Sequence, residues 1–507
     1  MIDPPTDGTA VAASADTVGA VDAVDAVDAG DVAPVVQAPS TAARTRPQAA
    51  GRDTADLGIF TPSPDLIVES QDGDRNPISG DAGGRRLDEA RGGPFSLPDM
   101  TLDVRTITED ELPAFSAAWG LGFLHPTEDA EADAKARRGG TVLDRTWAGF
   151  DGDRIVATTR SFPVALTVPG GAAVDVSAIT SVSTLSTHRR RGLATRLMTA
   201  DLGAARARGE VAAVLHASEW GIYGRFGFGP ASSECTLVVD AAAQLREPVA
   251  GSAELVDRDT ARALLPEIYA GYLAATSGEI SRNDWAFDLS LGILRLPSRD
   301  RVKPGFHVIV RDVEGRAVGF CRYEVEDRWE QSRARHLVSS SLFVAVNDTG
   351  TALLWQHLLS LDLVAEIRVE VRPVDDPLPY LVTDGRQVRR HEPIDSLWLR
   401  LLDVPAALSA RRYRTSGRLM LEVADRLGYG AGRFVLSVAD GAATCEPTDE
   451  PADLTMDIST LSSLYLGGVG AKTLHRAGLI EVGDPALADV ADTMFGWGTA
   501  PSCTTMF

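Results

Sequence analysis

Arg189-Arg190-Arg191-Gly192-Leu193-Ala194 is the centre of the stretch that decides the fold, Ser177 to Gly229. The segment before it, Ile179 to Leu185, is short, rich in β-branched residues and bounded by polar residues, which predicts a β-strand. After it, apolar residues recur at helical spacing from Leu193 to Ala205, and Gly209 ends the pattern. The sequence therefore predicts a strand, a basic turn and a helix in succession.

This turn is a predicted anion-binding site. Backbone N–H groups at the start of a helix point into such a turn and favour negative charge. Gly192 allows a ligand to approach the backbone closely, and Ala194 adds little bulk. The three arginines carry the charge that a phosphate ester or a pyrophosphate would match. The alternative is a solvated basic helix start.

A second motif follows the predicted helix. Val211 to Leu215 predicts another buried strand, and the next segment reads Ser218-Glu219-Trp220-Gly221-Ile222-Tyr223-Gly224-Arg225-Phe226-Gly227-Phe228. Arg189-x-x-Gly192-x-Ala194 resembles the Arg/Gln-x-x-Gly-x-Gly/Ala signature of the GNAT N-acetyltransferases. Tyr223, four residues before Gly227-Phe228, is similar to the second half of the same family's pattern.

One branch of that family is a closer match. The segments Thr187 to Gly192, Ala217 to Glu219 and Ile222 to Gly227 together resemble the Eis (enhanced intracellular survival) acetyltransferases, which acetylate several amines of aminoglycosides and also lysine side chains. The resemblance extends from about residue 100 to Phe507. It implies a hexameric N-acetyltransferase with acetyl-CoA as acyl donor. Transfer would be direct, in one ternary complex.

The resemblance also implies which residues bind acetyl-CoA. The strand before the arginine turn splays from its neighbour, so that its backbone N–H and C=O groups are free to bind the pantetheine arm. The implied contacts are Val182, Ser183 and Thr184 for the pantetheine arm, Arg190, Arg191, Gly192, Leu193, Ala194 and Thr195 for the pyrophosphate, and Ser218 and Glu219 for the opposite wall.

Two residues are the candidates for proton transfer. Tyr223 is the candidate proton donor to the departing thiolate, because a phenol with a pKa near 10 is protonated at pH 7. Its alternative is a core tyrosine whose hydroxyl is satisfied. In the Eis family the chain's own terminal carboxylate accepts the proton, so the resemblance assigns that role to Phe507. Its alternative is a frayed terminus.

Aromatic and acidic residues near the start of the fold are candidates for the acceptor site. They are Trp119, Phe123 and Trp147 for the walls, with Glu128, Asp129, Glu131 or Asp133 for negative charge. Core packing and a solvated acidic face are equally good explanations of these residues.

Charge and composition limit the function classes. The 507 residues are 44% apolar, and their formal net charge is −22. This charge argues against nucleic acid or anionic membranes as partners, because phosphates would be repelled. An acidic body would attract polyamines, aminoglycosides or lysine-rich peptides, with plain solubility as the alternative. The expected partner is therefore a small-molecule or peptide amine.

Cysteine spacing and hydropathy give further expectations. The four cysteines show no CxxC spacing, which predicts buried free thiols and no metal site. No window approaches about 18 consecutive apolar residues, and the acidic, proline-rich N-terminus is unlike a signal peptide. The sequence predicts a soluble cytoplasmic protein without a membrane span. Non-classical export stays open.

The predicted fold class is α/β (α+β), with two GNAT-like domains of mixed sheets and a sterol-carrier-like domain. Residues 1–98 are a predicted disordered, acidic, low-complexity arm, because they have too few apolar side chains to build a core. Residues 99–245 are the predicted acetyl-CoA-binding GNAT domain. The resemblance implies that residues 246–395 form a second, degenerate GNAT-like domain without the arginine turn. It also implies that residues 396–507 form a sterol-carrier-like domain that ends in the catalytic C-terminus.

A different class of function is the alternative to the enzyme. The C-terminal domain would then bind a lipid or another small molecule, and the GNAT part would be vestigial.

Overall fold

The structure is a computed structural model that describes residues 102–297 and 304–507. The predicted disordered arm, residues 1–98, lies outside these ranges. No helix within them is long and apolar enough to cross a membrane. All four cysteines are free and buried, as the sequence predicted.

The first part of the chain begins with a short strand and a capped helix. Thr108 and Glu111 form the capping box, which satisfies backbone N–H groups at the helix start. The elements are β1 (Asp103–Thr106), α1 (Leu112–Gly122), α2 (Ala130–Arg137), β2 (Thr146–Asp151), β3 (Arg154–Thr167), β4 (Ala173–Thr184), α3 (Leu193–Ala207), β5 (Ala212–His216), α4 (Trp220–Tyr223), β6 (Gly229–Pro230) and β7 (Ser233–Asp240).

The second part repeats the pattern of strands with a helix before the last long strand. Its elements are β8 (Ser252–Val256), α5 (Arg258–Ala275), α6 (Asp284–Ser290), β9 (Phe306–Arg311), β10 (Ala317–Glu326), β11 (Trp329–Glu330), β12 (Arg333–Ala334), β13 (His336–Ala345), α7 (Asp348–Leu359), β14 (Val364–Pro373), α8 (Leu378–Leu381), β15 (Val388–Arg390) and β16 (Ile394–Asp395).

The third part starts with a fully buried strand and ends with a helix and a tail. Its elements are β17 (Leu397–Leu401), α9 (Val404–Ala410), β18 (Gly417–Ala424), β19 (Gly432–Ala439), β20 (Ala442–Pro447), β21 (Leu454–Asp457), α10 (Ile458–Leu464), α11 (Ala471–Arg476), β22 (Ile480–Val482) and α12 (Pro485–Phe495). Residues 496–507 follow α12 without further secondary structure.

The described strands form three main sheets. The first has the order β1-β2-β3-β4-β5-β17-β6, the second β15-β7-β14-β13-β10-β9-β8, and the third β20-β19-β18-β21-β22. Only β4 and β5 run parallel in the first sheet, and only β13 and β14 in the second. Both sheets are therefore mixed, as the sequence predicted.

Two strands cross between the predicted domains. β7 lies within residues 99–245, but it pairs with β14 and β15 in the second sheet. β17 lies within residues 396–507, but it pairs with β5 and β6 in the first sheet. The first two sheets are thus each completed by a strand from another segment, which the sequence pattern did not indicate.

The cores follow the sheets. Leu399 of β17 belongs to the same buried cluster as Val176 of β4, Leu421 of β18 and Leu461 of α10, so the third domain and the first sheet share one core. The second sheet is covered on one face by α7 and on the other by α5.

Candidate active site

β4 and β5 separate part-way along their length. Their parallel pairing extends only from Val176 opposite Ala212 to Ala178 opposite Val214, although both strands continue further. The register between β3 and β4 shifts beside Ser181, whose φ of 58° marks a bulge. A bulge bends its strand and increases the local twist, which directs the end of β4 away from β5.

The predicted pantetheine-binding residues line this gap. Ser183 and Thr184 pair with β3 on one side only, which leaves the other side of the β4 backbone facing the separation from β5. Val182, Ser183 and Thr184 are all partly exposed. Unpaired backbone groups at the inner side of a sheet are available to an extended, amide-containing ligand.

The arginine turn connects β4 to α3, as predicted. Gly192 precedes the helix in the left-handed region, with φ of 78°, and no side chain caps the helix start. A Cβ at Gly192 would meet nothing within 4 Å. Arg190 and Arg191 are exposed beside this open space, while Leu193 is buried and anchors the helix. The free N–H groups, the space and the positive charge fit a pyrophosphate.

His188 stabilises the turn. Its Nε2 lies 3.0 Å from Asp151 Oδ2, and its Nδ1 lies 2.8 Å from the Thr187 hydroxyl. The His188 side chain therefore links the loop between β4 and α3 to the hairpin of β2 and β3. No motif indicated this contact, because Asp151 is distant in sequence.

The opposite side of the gap is formed by the segment after β5. Ser218 and Glu219 are exposed there, immediately before α4. The predicted contacts thus come from the end of β4, the start of α3 and the segment after β5, which all lie at the end of the two strands where β4 and β5 part.

Tyr223 ends α4 and is only 5% exposed. It belongs to a buried cluster with Ile179 and Leu215, which lie just where β4 and β5 separate. Burial raises the pKa of Tyr223 to about 12, and the negative charge of Glu219 adds to the shift. The phenol is therefore protonated throughout the neutral and mildly alkaline range, as a proton donor must be.

The C-terminal residue lies beside the end of β5. The ring of Phe507 contacts His216, with ring centroids 4.8 Å apart, and Phe162 of β3, with centroids 5.6 Å apart. His216 Nε2 lies 3.1 Å from the carbonyl oxygen of Thr505. Since a carbonyl oxygen only accepts, Nε2 carries the hydrogen. Burial lowers the pKa of His216 below its usual value, although its hydrogen bond to the Thr505 backbone acts in the opposite direction.

The sequence did not indicate His216 or Phe162. The signal for His216 was its place directly after the buried strand Val211 to Leu215 and before Ala217-Ser218-Glu219. Phe162 had no such signal, because it lies within a long strand of the sheet. The structure brings both against a residue that is almost 300 positions away from His216 in the chain.

Two of the four predicted acidic acceptor residues, Asp129 and Asp133, have other roles in this structure. Asp133 is fully buried and pairs with Arg137 at 2.6 Å. Asp129 caps α2 by accepting a hydrogen bond from the Ala132 N–H at 2.9 Å. Both carboxylates are thus used within the fold, whereas Glu128 and Glu131 are exposed.

Of the predicted aromatic wall, only Trp119 lines a small cavity, whereas Phe123 and Trp147 are half-buried outside it. This cavity of about 10 Å³ is also lined by Arg160 and Ser181, and the guanidinium of Arg137 lies 4.3 Å from the Trp119 ring centroid. Such a volume holds about one water molecule. The helices α1 and α2 therefore cover this side of the bulge.

The second domain has a corresponding pair of parallel strands, but its opening is filled. Arg372 of β14 donates from Nη1 to the Phe343 carbonyl of β13 at 3.3 Å and from Nε to Asp376 at 2.8 Å. The Asn347 side chain caps α7 by accepting from the Gly350 N–H at 2.9 Å. A backbone N–H of this helix start is thus already hydrogen-bonded, and Asp348 in the first turn adds negative charge. Both features disfavour the binding of a pyrophosphate here.

Comparison with family models defines the class of protein. Two models described as an acetyltransferase (GNAT) domain match residues 103–231 and 278–407, and one described as a sterol carrier protein domain matches residues 404–504. Together with the gap and the arginine turn, these matches define a GNAT-type N-acetyltransferase, an acyltransferase with a second GNAT domain and a sterol-carrier-like domain. The predicted fold class is confirmed.

Relatives narrow the class to a family. An uncharacterized N-acetyltransferase from Streptomyces avermitilis is 37% identical over 420 residues, covering 82% of this chain and 100% of the relative. N-acetyltransferase Eis from Mycobacterium tuberculosis is 36% identical over 411 residues, covering 78% of this chain and 97% of that protein. The crystal structure of Eis1 from Mycobacterium abscessus matches with a TM-score of 0.71 at 34% identity, covering 80% of this chain and all of that one. The chain therefore belongs to the Eis family of N-acetyltransferases, which confirms the family that the motifs indicated.

Proposed function

We propose that this N-acetyltransferase transfers the acetyl group of acetyl-CoA to primary amines of an aminoglycoside-like or lysine-containing acceptor, in one ternary complex. The observation that carries the proposal is the position of Phe507 against His216, at the end of β5 beside the gap. Phe507 at the end of β5 and the predicted donor-binding residues at the end of β4 thus lie at the same end of these two parallel strands. The formal net charge of −22 favours a cationic acceptor.

Binding of the donor is assigned to the residues that line the gap. Val182 to Thr184 would bind the pantetheine arm through the backbone of β4, and the amides of Gly192 to Thr195 with Arg190 and Arg191 would bind the pyrophosphate. Ser218 and Glu219 would close the opposite wall. When bound, acetyl-CoA supplies an acetyl group activated as a thioester.

Proton transfer is assigned to Phe507 and Tyr223. The terminal carboxylate, with an intrinsic pKa of about 3.5, is ionised and would accept a proton from the acceptor's ammonium, directly or through water. The neutral amine then forms the N–C bond as the C–S bond breaks. Tyr223, with its pKa of about 12, would donate its proton to the sulfur and recover one from the acylated nitrogen.

The proposal is tested by thiol release from acetyl-CoA with a panel of amines. We expect turnover with aminoglycosides or lysine peptides, and no thiol release without an amine. Release that is independent of the amine would contradict direct transfer. Binding of a fluorescent fatty acid in the absence of any transfer would favour the lipid-binding alternative.

A sharper test shifts the terminal carboxylate away from Phe507 by lengthening the chain. Adding two glycines after Phe507 replaces this carboxylate with a peptide group, and we expect kcat to fall by about 100-fold. Phe507→Leu is the matched control, because it keeps the carboxylate and loses only the ring contacts with His216 and Phe162. Unchanged turnover of the extended chain would remove the carboxylate from the mechanism.

The assembly is proposed from family membership. We expect a hexamer, and light scattering of the full chain measures its mass.

A further inference from the structure

The tail that carries Phe507 is buried before it reaches the active site. Ser502, Cys503, Thr504 and Thr505 are each less than 9% exposed. The Ser502 N–H donates to the Ser277 carbonyl at 2.9 Å, which places the tail against the loop after α5. A chain end with this burial differs from the usual mobile terminus and needs a specific partner for its polar groups.

Glu279 is that partner. Its side chain is fully buried. Oε2 accepts from both the backbone N–H and the hydroxyl of Thr504, each at 2.7 Å, and Oε1 accepts from the Thr505 hydroxyl at 2.8 Å. Hydrogen bonds to a carboxylate at such distances are the strong, charge-assisted kind. One side chain therefore binds two consecutive tail residues with both of its oxygens.

Arg282 binds the same two residues with the opposite charge. Its Nε donates to the Thr505 hydroxyl at 2.7 Å, and its Nη2 donates to the Thr504 carbonyl at 2.8 Å. The Tyr269 hydroxyl lies 2.8 Å from the Thr505 hydroxyl, and the Arg282 guanidinium lies over the Tyr269 ring. The buried carboxylate of Glu279 and the partly buried guanidinium of Arg282 thus lie in one polar network that the tail completes, which is the condition under which a buried charge is tolerated.

The network restricts the position of Phe507. Only Met506 separates Thr505 from Phe507, and two residues of extended chain span at most about 7 Å. Thr505 is also fixed from the other side, because its carbonyl accepts from His216 Nε2. The carboxylate of Phe507 is therefore restricted to a small region at the end of β5.

We propose that Glu279 and Arg282 are positioning residues, which fix Thr504 and Thr505 and so place the terminal carboxylate of Phe507 at the active site. This inference rests on the proposed function. It assigns a role to the second GNAT-like domain, whose own opening is filled. That domain supplies the binding site for the tail, so that the first domain receives its proton acceptor in a fixed orientation.

The first test is Glu279→Gln in the full chain. The side-chain NH₂ of glutamine would face the N–H and hydroxyl donors of Thr504 and Thr505, so that hydrogen bonds to the tail are lost. We therefore expect carboxypeptidase A to release Phe507 about tenfold faster or more. We also expect kcat to fall by about tenfold or more, with the KM of acetyl-CoA within about twofold of wild type. Asp376→Asn is the matched control, since Asp376 is a buried carboxylate that binds Arg372 in the same domain and no tail residue. It should change neither quantity.

The outcomes separate the two proposals. An unchanged rate of Phe507 release in Glu279→Gln would overturn the positioning role, whatever the activity. Faster release with unchanged kcat would leave the tail-binding role intact and would overturn the catalytic role of the carboxylate.

A second pair of variants works on the tail itself, so that the test does not depend on the folding of Glu279→Gln. Thr505→Val removes the hydroxyl that Glu279 and Arg282 bind, while Thr505→Ser keeps it. We expect faster Phe507 release and lower kcat in Thr505→Val, with recovery to near wild type in Thr505→Ser. Equal behaviour of the two variants would overturn the proposal.

Discussion

Tyr223 illustrates how burial sets the chemistry of a single residue. The sequence placed it in a motif, but its pKa of about 12 results from the cluster that surrounds it in the fold. A phenol with such a pKa cannot act as a base near pH 7, and it remains a proton donor across the range of ordinary assays.

Tyr223→Phe removes one oxygen and keeps the ring against Phe228. We expect kcat, measured by thiol release, to fall by about 100-fold, with the KM of acetyl-CoA within about twofold of wild type. Tyr413→Phe is the control, because Tyr413 is also buried and its hydroxyl donates to the Leu408 carbonyl far from the gap. Equal losses of kcat and donor affinity in Tyr223→Phe would assign the residue to binding.

The residues that the sequence missed share one property. His216, Glu279 and Arg282 act on the tail, and each is separated from it by more than 200 positions. Motif spacing describes only neighbours along the chain, so contacts of this length have no local signature.

At the scale of elements, the start of α3 combines a left-handed glycine with open space. The same helix is followed by Gly209, which also has a positive φ of 83° and nothing near its Cβ position. Both glycines therefore adopt a left-handed backbone conformation, at opposite ends of one helix. Only Gly192 lies at the predicted pyrophosphate site.

Gly192→Ala and Gly209→Ala test this difference. Each alanine must adopt a left-handed conformation, so we expect each variant to lose about 1 kcal/mol of stability. Only Gly192→Ala should raise the KM of acetyl-CoA, by about tenfold, since it shifts the amides at the helix start. An equal KM in both variants would contradict the assignment of this helix start to the donor.

Asp201 gives α3 a pH-dependent stability. Its side chain is fully buried and accepts from the Ser161 hydroxyl of β3 at 2.7 Å, and burial raises its pKa from 3.8 to about 6. Because the folded state binds this proton more tightly than the unfolded state, the contribution of Asp201 to stability is full below pH 3.8 and is lost as the pH rises through 6.

Asp201→Asn should remove this dependence. We expect the free energy of unfolding of the variant, relative to wild type, to increase by about 1 to 1.5 kcal/mol between pH 5 and pH 8. Urea unfolding at the two pH values measures the difference. Parallel pH dependence in both proteins would show that Asp201 titrates normally.

At the scale of the whole molecule, the exchange of β7 and β17 makes the domains interdependent. Arg400 of β17 is fully buried, donates to the Phe226 carbonyl at 3.0 Å, and pairs with Asp425 of the third domain at 2.7 Å. A charged residue at this position needs both neighbours, since a buried charge without a partner is strongly destabilising.

A fragment of residues 102–245 tests this interdependence. It lacks β17 between β5 and β6, and it exposes the part of the first core that the third domain covers. We expect no cooperative thermal transition and no near-ultraviolet circular dichroism signal from this fragment. A chain of residues 102–507 should melt cooperatively. A cooperative transition of the short fragment would show that the first domain folds alone.

The sequence by itself determined the family, the order of the elements and the strand, turn and helix that form the predicted anion site. These features depend on periodicity and on residues within a few turns of chain, such as the capping box of Thr108 and Glu111. Only the tertiary structure decided that Leu397 pairs with His216, that Arg372 fills the second opening, and that Glu279 binds the tail. The physical reason is that these contacts join distant segments, whose approach depends on how whole sheets pack and not on any local preference of the chain.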